Sequence, residues 1–128
     1  MKLRRFDHLV LTVKDLSRTL DFYGRVLGVP VEETRGRWVI RLGEAKFNVH
    51  RRPGEFQPAA ERPVSGALDL CLELEPGEKL ENAFKEVKAA GAEPVLGIVN
   101  RTGARGPMRS FYLRDPDGNL VEICSYER

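Results

Sequence analysis

The last apolar segment of the chain carries a single acidic residue, Glu122, among aliphatic neighbours. It follows Asp115–Gly118, which favours a tight turn because proline presets φ, aspartate caps the chain and glycine accepts a positive φ. Side chains alternate along a strand, so Glu122 shares one face with Leu120 and Cys124. A carboxylate among hydrophobic side chains is costly to bury unless its charge is compensated, and a metal ion is one partner that compensates it.

His8 is a second potential ligand, and it lies in an alternating segment from residue 6 to residue 13. The apolar face of this segment consists of Leu9, Leu11 and Val13. His8 lies on the opposite face. Imidazole and carboxylate groups both bind divalent metals. The first and last strands therefore each present one potential metal ligand away from the larger aliphatic residues.

The chain repeats its own order of elements, which indicates two related modules. Each half begins with an alternating strand and continues with an amphipathic helix, predicted at 15–28 and at 78–90. Three strands follow in each half, at about 31–34, 38–42 and 46–51, and then at about 93–98, 108–114 and 120–126. The order βαβββ, twice, predicts an α+β fold with helices on one side of each sheet. We expect one domain over 1–128, with module one at about 4–51, a linker at 52–66 and module two at about 67–126.

Aligning the two halves places further polar residues on the same sheet face. Asp69, in the first strand of the second half, takes the position that His8 has in the first half. Asn48 takes the position of Glu122, and His50 follows Asn48 on the same face. We call the face that carries these residues the polar face. We expect the other face to pack under the helices, and the polar faces of two curved mixed sheets to line a metal-binding cup.

Composition and charge are those of an ordinary globular protein. The net charge of +2 is too small to indicate nucleic-acid binding, and no basic run interleaves with aromatic residues. The N-terminal residues include basic side chains but no apolar run, which predicts no signal peptide, no membrane span and a cytoplasmic location. Cys71 and Cys124 fall in predicted strands, where buried free thiols are expected rather than a disulfide.

With these residues identified, the chain resembles the vicinal oxygen chelate superfamily, which includes glyoxalase I, extradiol dioxygenases, fosfomycin-modifying transferases and bleomycin-binding (bleomycin resistance) proteins. The resemblance covers essentially the whole chain, and its strongest carriers are the segments 8–13, 22–28 and 115–122. Further segments resemble a glyoxalase-domain-containing subgroup that includes virulence-associated bacterial proteins: 46–50, 65–71 and 101–104. Membership alone does not fix the reaction, because the superfamily hosts several chemistries and also non-enzymatic binders.

The resemblance implies a divalent ion held by His8, Asp69 and Glu122, with Glu122 also the candidate catalytic residue. One imidazole and two carboxylates, with open positions for water or substrate, suit Zn²⁺, Ni²⁺, Mn²⁺, Co²⁺ or Fe²⁺. The fourth family position, acidic in glyoxalase-like members, is Asn48, so the general base expected of a glyoxalase I is missing. Extradiol dioxygenases use two histidines and one carboxylate. Asp69 occupies the second histidine position, which disfavours that chemistry unless His50 restores an imidazole.

Four side chains are candidates for substrate binding: Asn48, His50, Arg101 and Tyr112. Arg101 begins a segment at 101–107 that is either a simple hairpin loop or a loop that closes over the cup and offers guanidinium to an anionic substrate. Tyr112 and Arg109 alternate in the next strand, so at most one of them lines the cup. Structural readings stay open for the other residues: an arginine-paired Glu122, a hydrogen-bonded His8 and a non-ligating Asp69.

Two classes of function follow from the ligand set. The first is a metal-dependent enzyme of the glyoxalase or dioxygenase type, acting as a lyase or isomerase, whose ion binds a bidentate oxygen substrate and stabilises a developing oxyanion or enolate. The second is a non-catalytic binder of a small molecule or antibiotic. A ring-cleaving dioxygenase is a further alternative. The intact ligand types favour the enzyme, and the metal, the substrate and any thiol cosubstrate such as glutathione stay open. We also expect a homodimer, with the site either inside one chain or shared by two.

Overall fold

A computed structural model describes residues 1–127 of the chain, and it contains the predicted βαβββ order twice. The chain divides into two units, the first at Met1–Gly66 and the second beginning at Ala67. The first unit contains β1 (His8–Thr12), α1 (Leu16–Asp21), β2 (Val31–Thr34), β3 (Arg37–Leu42) and β4 (Ala45–His50). The second contains β5 (Asp69–Glu73), α2 (Leu80–Ala89), β6 (Val99–Gly103), β7 (Gly106–Arg114) and β8 (Leu120–Ser125).

Each unit has one open four-stranded mixed sheet, and the two sheets have the same topology. The strand orders are β1-β4-β3-β2 and β5-β8-β7-β6. In both sheets the first and last strands of the module run parallel, and the other pairs are antiparallel. The predicted α+β class with two tandem βαβββ modules is therefore confirmed.

The strand registers of the two units are equivalent. His8 lies opposite Lys46 in the first unit, and Asp69 lies opposite Leu120 in the second. Counting two residues along each final strand then brings Asn48 into the position of Glu122. The alignment of the halves made from the sequence is therefore confirmed by the backbone pairing.

The helix-facing side of each sheet forms the core. In the first unit Tyr23 is fully buried and packs edge-on against Phe47, with ring centroids 5.8 Å apart. In the second unit Phe84 of α2 packs edge-on against the fully buried Phe111, at 5.3 Å. Burying one such aromatic side chain stabilises a fold by about 1.5–3 kcal/mol, so these contacts fix which face of each sheet is left for polar residues.

The first helix begins as predicted but ends differently. The Asp15 side chain caps it by accepting a hydrogen bond from the backbone N–H of Arg18, at 3.1 Å. From Phe22 to Val26 the chain continues as a π-helical turn around Gly24. Gly28 then takes a φ of 70°, which ends the helical segment as expected.

The predicted strand at 93–98 is wrong, because the edge strand of the second sheet is Val99–Gly103. It pairs with β7 through a tight hairpin whose Gly106 has a φ of 119°. Gly103 comes so close to neighbouring side chains that a β-carbon there would lie 2.6 Å from the sulfur of Met108. The two glycines permit the hairpin, so Arg101 lies in a strand and not in a loop. No helix within residues 1–127 is long and apolar enough to cross a membrane.

Candidate functional site

His8 lies on the polar face of the first sheet, where its side chain is exposed and oriented by the residue before it. Its Nδ1 lies 2.7 Å from a carboxylate oxygen of Asp7. A carboxylate only accepts hydrogen bonds, so this contact places the proton on Nδ1 and leaves the lone pair on Nε2. The same hydrogen bond lowers the pKa of the Asp7 carboxyl. The imidazole is therefore held in the tautomer that presents Nε2 to a ligand.

Asn48 and His50 follow one another on the polar face of β4. Asn48 is half-buried, and its neighbours across the sheet are the aliphatic Val10 and Val39. His50 is only 8% exposed, with its ring edge-on to Phe56 at 5.2 Å. Its Nδ1 is buried and has no hydrogen-bond partner among residues 1–127. The imidazole of His50 is thus covered by an aromatic side chain from the segment after β4, which the sequence analysis did not anticipate.

Glu122 lies half-buried at the centre of the polar face of the second sheet, directly across from Tyr112 of β7. The Tyr112 hydroxyl donates a hydrogen bond to its Oε1, at 3.2 Å. The same hydroxyl accepts a hydrogen bond from Nε of Arg101, at 2.8 Å. Burial raises the pKa of Tyr112, and the nearby guanidinium partly opposes that rise. Three predicted site residues therefore form one chain of hydrogen bonds, and the bound partner of Glu122 is a phenol and not an arginine.

Tyr112 and Arg109 lie on opposite faces of β7, as predicted. Arg109 forms an ion pair with Glu81 of α2 on the helix side of the sheet. Tyr112 faces Glu122 on the other side. Only the tyrosine belongs to the polar face.

Asp69 lies on the polar face of β5, exposed, and its partner across the sheet is Leu120. The residue of β5 directly opposite Glu122 is instead Cys71. Cys71 was expected to be buried, but it is exposed, whereas Cys124 is buried as expected. The Cys71 thiol is nevertheless partly shielded by its neighbours, and this desolvation, together with Cys124 and Glu122, raises its pKa far above the usual value. In the metal-free protein this shift favours the protonated thiol, which is a weak nucleophile.

The tip of the β6–β7 hairpin forms an ion pair with β5, the strand at the opposite edge of the same sheet. Both terminal nitrogens of Arg105 donate to the carboxylate of Glu73 on β5, each at 2.9 Å. The guanidinium also lies 4.2 Å above the ring of Tyr126, whose hydroxyl accepts from the Arg105 backbone N–H at 3.2 Å. The charge of Arg105 is therefore already compensated. Of the two arginines in the predicted segment 101–107, only Arg101 remains a candidate for binding an anion.

The metal site itself stays a prediction. Among residues 1–127, neither unit contains three His, Cys, Asp or Glu side chains placed to hold one ion. His8 belongs to the first unit, while Asp69 and Glu122 belong to the second. The donor types fit a divalent ion, since an oriented imidazole and a half-buried carboxylate are both present.

Sequence reasoning did not predict the contacts that four neighbouring residues make within their own units: Asp7, Phe56, Cys71 and Glu73. Only Asp7 had a readable signal, because a carboxylate next to a candidate histidine ligand suggests a hydrogen-bonded pair. The others act across strands or from the linker, and their placement depends on register and turn geometry.

Comparison with known proteins gives consistent matches over nearly the whole chain. The model of the Glyoxalase/Bleomycin resistance protein/Dioxygenase superfamily matches residues 5–123. The chain is 44% identical over 127 residues to Virulence protein STM3117 of Salmonella typhimurium, covering 98% of this chain and 87% of that protein. It is 40% identical to Glyoxalase domain-containing protein RDO1 of Mycosarcoma maydis, covering 99% and 71%.

Solved structures agree with these matches. The crystal structure of STM3117 superposes with a TM-score of 0.93 at 43% identity, covering 99% of this chain and 100% of that chain. Lactoylglutathione lyase from Agrobacterium tumefaciens superposes with a TM-score of 0.75 at 19% identity, covering 98% and 96%, which is a likeness of fold alone. The predicted resemblance to a glyoxalase-like subgroup that includes virulence proteins is confirmed.

Proposed function

The chain belongs to the Glyoxalase/Bleomycin resistance protein/Dioxygenase superfamily, and on that premise we propose that it is a metal-dependent enzyme acting on a small molecule with two adjacent oxygen donors. The observation that carries this proposal is that each unit contains a candidate ligand oriented by a neighbour. Asp7 accepts from His8, and Tyr112 donates to Glu122. Ligands of metals in proteins have such outer partners, which fix their orientation and tautomer.

His8, Asp69 and Glu122 are the proposed ligands. Nε2 of His8 is left available by the bond to Asp7, and the carboxylate of Glu122 is half-buried, where an opposite charge stabilises it. Asp69 is proposed because it matches the family pattern and lies on the polar face. In β5 it lies two residues before Cys71, the residue directly opposite Glu122. Once bound, Zn²⁺, Ni²⁺, Mn²⁺, Co²⁺ or Fe²⁺ would supply Lewis acidity toward a substrate oxygen.

The other polar-face residues are proposed to bind the substrate through hydrogen bonds. Arg101 and Tyr112 offer donors beside Glu122, and Asn48 offers an amide that both donates and accepts. Asn48 cannot take up a proton, so the proposal does not include a base at that position. His50 is covered by Phe56, which disfavours it as a second imidazole ligand and, with it, ring-cleaving dioxygenase chemistry.

A metal assay on two variants tests this proposal. Protein purified without chelators should contain about one divalent ion per chain by elemental analysis, and Glu122→Gln should lose most of it. Glu33→Gln is the matched control, since Glu33 is an exposed strand carboxylate of β2 outside the polar face. Equal metal content in Glu122→Gln and in the parent protein would refute the ligand assignment.

A non-catalytic small-molecule binder is the second candidate, and Asn48 is the observation that favours it. The position equivalent to Glu122 in the first module holds a neutral, half-buried amide. A chain of this kind would bind its ligand with equal affinity after removal of the metal. A ligand whose affinity falls sharply in chelated protein would support the enzyme instead.

We further propose that two chains form a homodimer. Each sheet is open and has two edge strands, which proteins usually cover or pair. Large apolar side chains near the N-terminus are also exposed: Met1, Leu3 and Phe6. Sedimentation at falling protein concentration, with metal content measured in parallel, tests the arrangement. A monomer that still binds one ion would exclude a site shared by two chains.

A further inference from the structure

Arg101 is oriented by neutral hydrogen-bond acceptors, and within residues 1–127 no carboxylate forms an ion pair with its guanidinium. Six others form ion pairs with carboxylates: Arg5, Arg25, Arg41, Arg51, Arg105 and Arg109. Within residues 1–127, Arg101 makes no ion pair of this kind and is held by neutral groups instead. Its guanidinium is exposed on the polar face, one hydroxyl away from Glu122.

The two hydrogen bonds of Arg101 fix the orientation of its guanidinium. Nε donates to the Tyr112 hydroxyl at 2.8 Å, and Nη1 donates to the carbonyl oxygen of Asn100 at 2.9 Å. A guanidinium has five N–H donors in a rigid plane. The edge formed by Nη2 and the second N–H of Nη1 is therefore left without a described partner. That edge matches the two oxygens of a carboxylate or phosphate.

Tyr112 separates the guanidinium from the carboxylate of Glu122. Its single hydroxyl proton goes to Oε1 of Glu122, while its oxygen accepts from Arg101. Without this spacer a direct Arg101–Glu122 pair would neutralise both charges. The phenol therefore keeps Glu122 available to an ion and Arg101 available to an anion, and it orients both.

A cleft of about 420 Å³ runs along the edge hairpin β6–β7. It is lined by Arg101 and Met108, which lie on the polar face, and by four residues that alternate to the other face: Asn100, Thr102, Pro107 and Arg109. Sites for small molecules have volumes of about 300–1,000 Å³. Arg109 also lines this cleft, but its charge is already paired with Glu81.

From this arrangement we propose that Arg101 is an oxyanion receptor, and that the substrate of the proposed enzyme is a small carboxylate or phosphate-type anion. Tyr112 is the positioning residue that sets both the receptor and Glu122. The inference rests on the proposed function for the link to catalysis, but anion binding at Arg101 is measurable without it.

The test uses simple probes on the purified protein. Acetate and inorganic phosphate are titrated while the Nε–H signals of the arginines are followed by ¹⁵N nuclear magnetic resonance, and neutral acetamide serves as the isosteric control for acetate. The Arg101 signal should shift with the anions and not with acetamide, and whichever anion binds more tightly identifies the acidic group. Arg101→Gln should weaken binding at least tenfold. Arg109→Gln, which removes the same charge from the same cleft, should leave it unchanged.

Replacement of Tyr112 is expected to affect two binding measurements. Tyr112→Phe should weaken both anion binding and divalent-ion binding, the latter by about 10- to 100-fold, as for other outer partners of metal ligands. Arg101→Gln should weaken anion binding alone. Anion affinity that is equal in Arg101→Gln and the parent protein would overturn this inference and leave the proposed function intact. Retention of the metal by Glu122→Gln would overturn the proposed function and leave the anion result standing.

Discussion

Replacement of Asn119 by alanine should destabilise the second unit more than any exposed substitution, because this side chain joins the turn before β8 to the start of β5. Asn119 is 1% exposed. Its Oδ1 accepts from the backbone N–H of Leu68 at 2.9 Å, and its Nδ2 donates to Oδ2 of Asp115 at 2.8 Å. These bonds help to fix the β5–β8 register, which in turn places Asp69 and Glu122 on one face.

The magnitude follows from the groups that lose a partner. Asn119→Ala removes the acceptor of one shielded backbone N–H and one donor to a buried carboxylate. Leaving the Leu68 N–H without its acceptor costs about 1–3 kcal/mol. Loss of one hydrogen bond to the Asp115 carboxylate, which keeps the backbone N–H groups of Asp117 and Asn119 as donors, adds about 1 kcal/mol. The backbone bonds around the turn remain, including Asp115 N–H to the Asn119 carbonyl at 3.1 Å and Leu120 N–H to the Leu68 carbonyl at 3.0 Å. We therefore expect a folded protein whose free energy of unfolding is lower by about 2–4 kcal/mol.

Urea denaturation followed by circular dichroism measures this loss, with an unchanged slope showing that the same surface is exposed on unfolding. Asn82→Ala is the matched control, because Asn82 is an exposed residue of α2 and should change stability by less than about 0.5 kcal/mol. A loss for Asn119→Ala as small as that of the control would refute the argument that these two hydrogen bonds hold the turn.

Three further predictions concern the hairpin and the site. Gly103→Ala should lower the midpoint of thermal unfolding, since the added carbon would overlap a tyrosine hydroxyl, whereas alanine at the open, ordinary-φ Gly97 should not. Asp7→Asn should weaken divalent-ion binding by about tenfold, because His8 loses the charged acceptor that orients its ring. Calorimetry measures this affinity, and an unchanged midpoint of thermal unfolding is the control for the fold. The hydrogen-bonded ion pair with Arg105 lowers the pKa of Glu73 from its ordinary value. The stabilisation from this pair is therefore present above the pKa of the unfolded chain and is lost as the pH falls through the pKa of the folded protein. Arg105→Gln should remove this part of the acid sensitivity in unfolding measured from pH 6 to pH 3, and an unaltered profile would contradict it.

Sequence periodicity was enough to predict most of the fold. The alternation around His8 and Glu122 gave the correct faces, because side-chain direction in a strand depends only on counting residues. The strand at about 93–98 was predicted from the repeated order of elements, and it was wrong because the edge strand of the second sheet is Val99–Gly103. The backbone N–H of Val95 still donates to the Tyr112 carbonyl at 2.9 Å, but the hairpin glycines at 103 and 106 determine where β6 lies. Turn geometry of this kind depends on close contacts that a linear pattern does not contain.

For the candidate site, the residue types were predictable and their partners were not. A half-buried glutamate needs a compensating group, and the sequence suggested an arginine or an ion. The observed neighbour is Tyr112, which reaches Glu122 only because β7 and β8 pair in one particular register. The cover over His50 comes from Phe56, in a segment whose path is set by turns and not by periodicity.

The equivalent registers of the two modules mean that every polar-face position exists twice on the same backbone. The same backbone position holds an amide in the first module, at Asn48, and a carboxylate in the second, at Glu122. A substitution at a polar-face position of one module leaves the equivalent position of the other module unchanged. For protein engineering, Asn48→Glu would place a carboxylate in the first module at the backbone position that Glu122 occupies in the second.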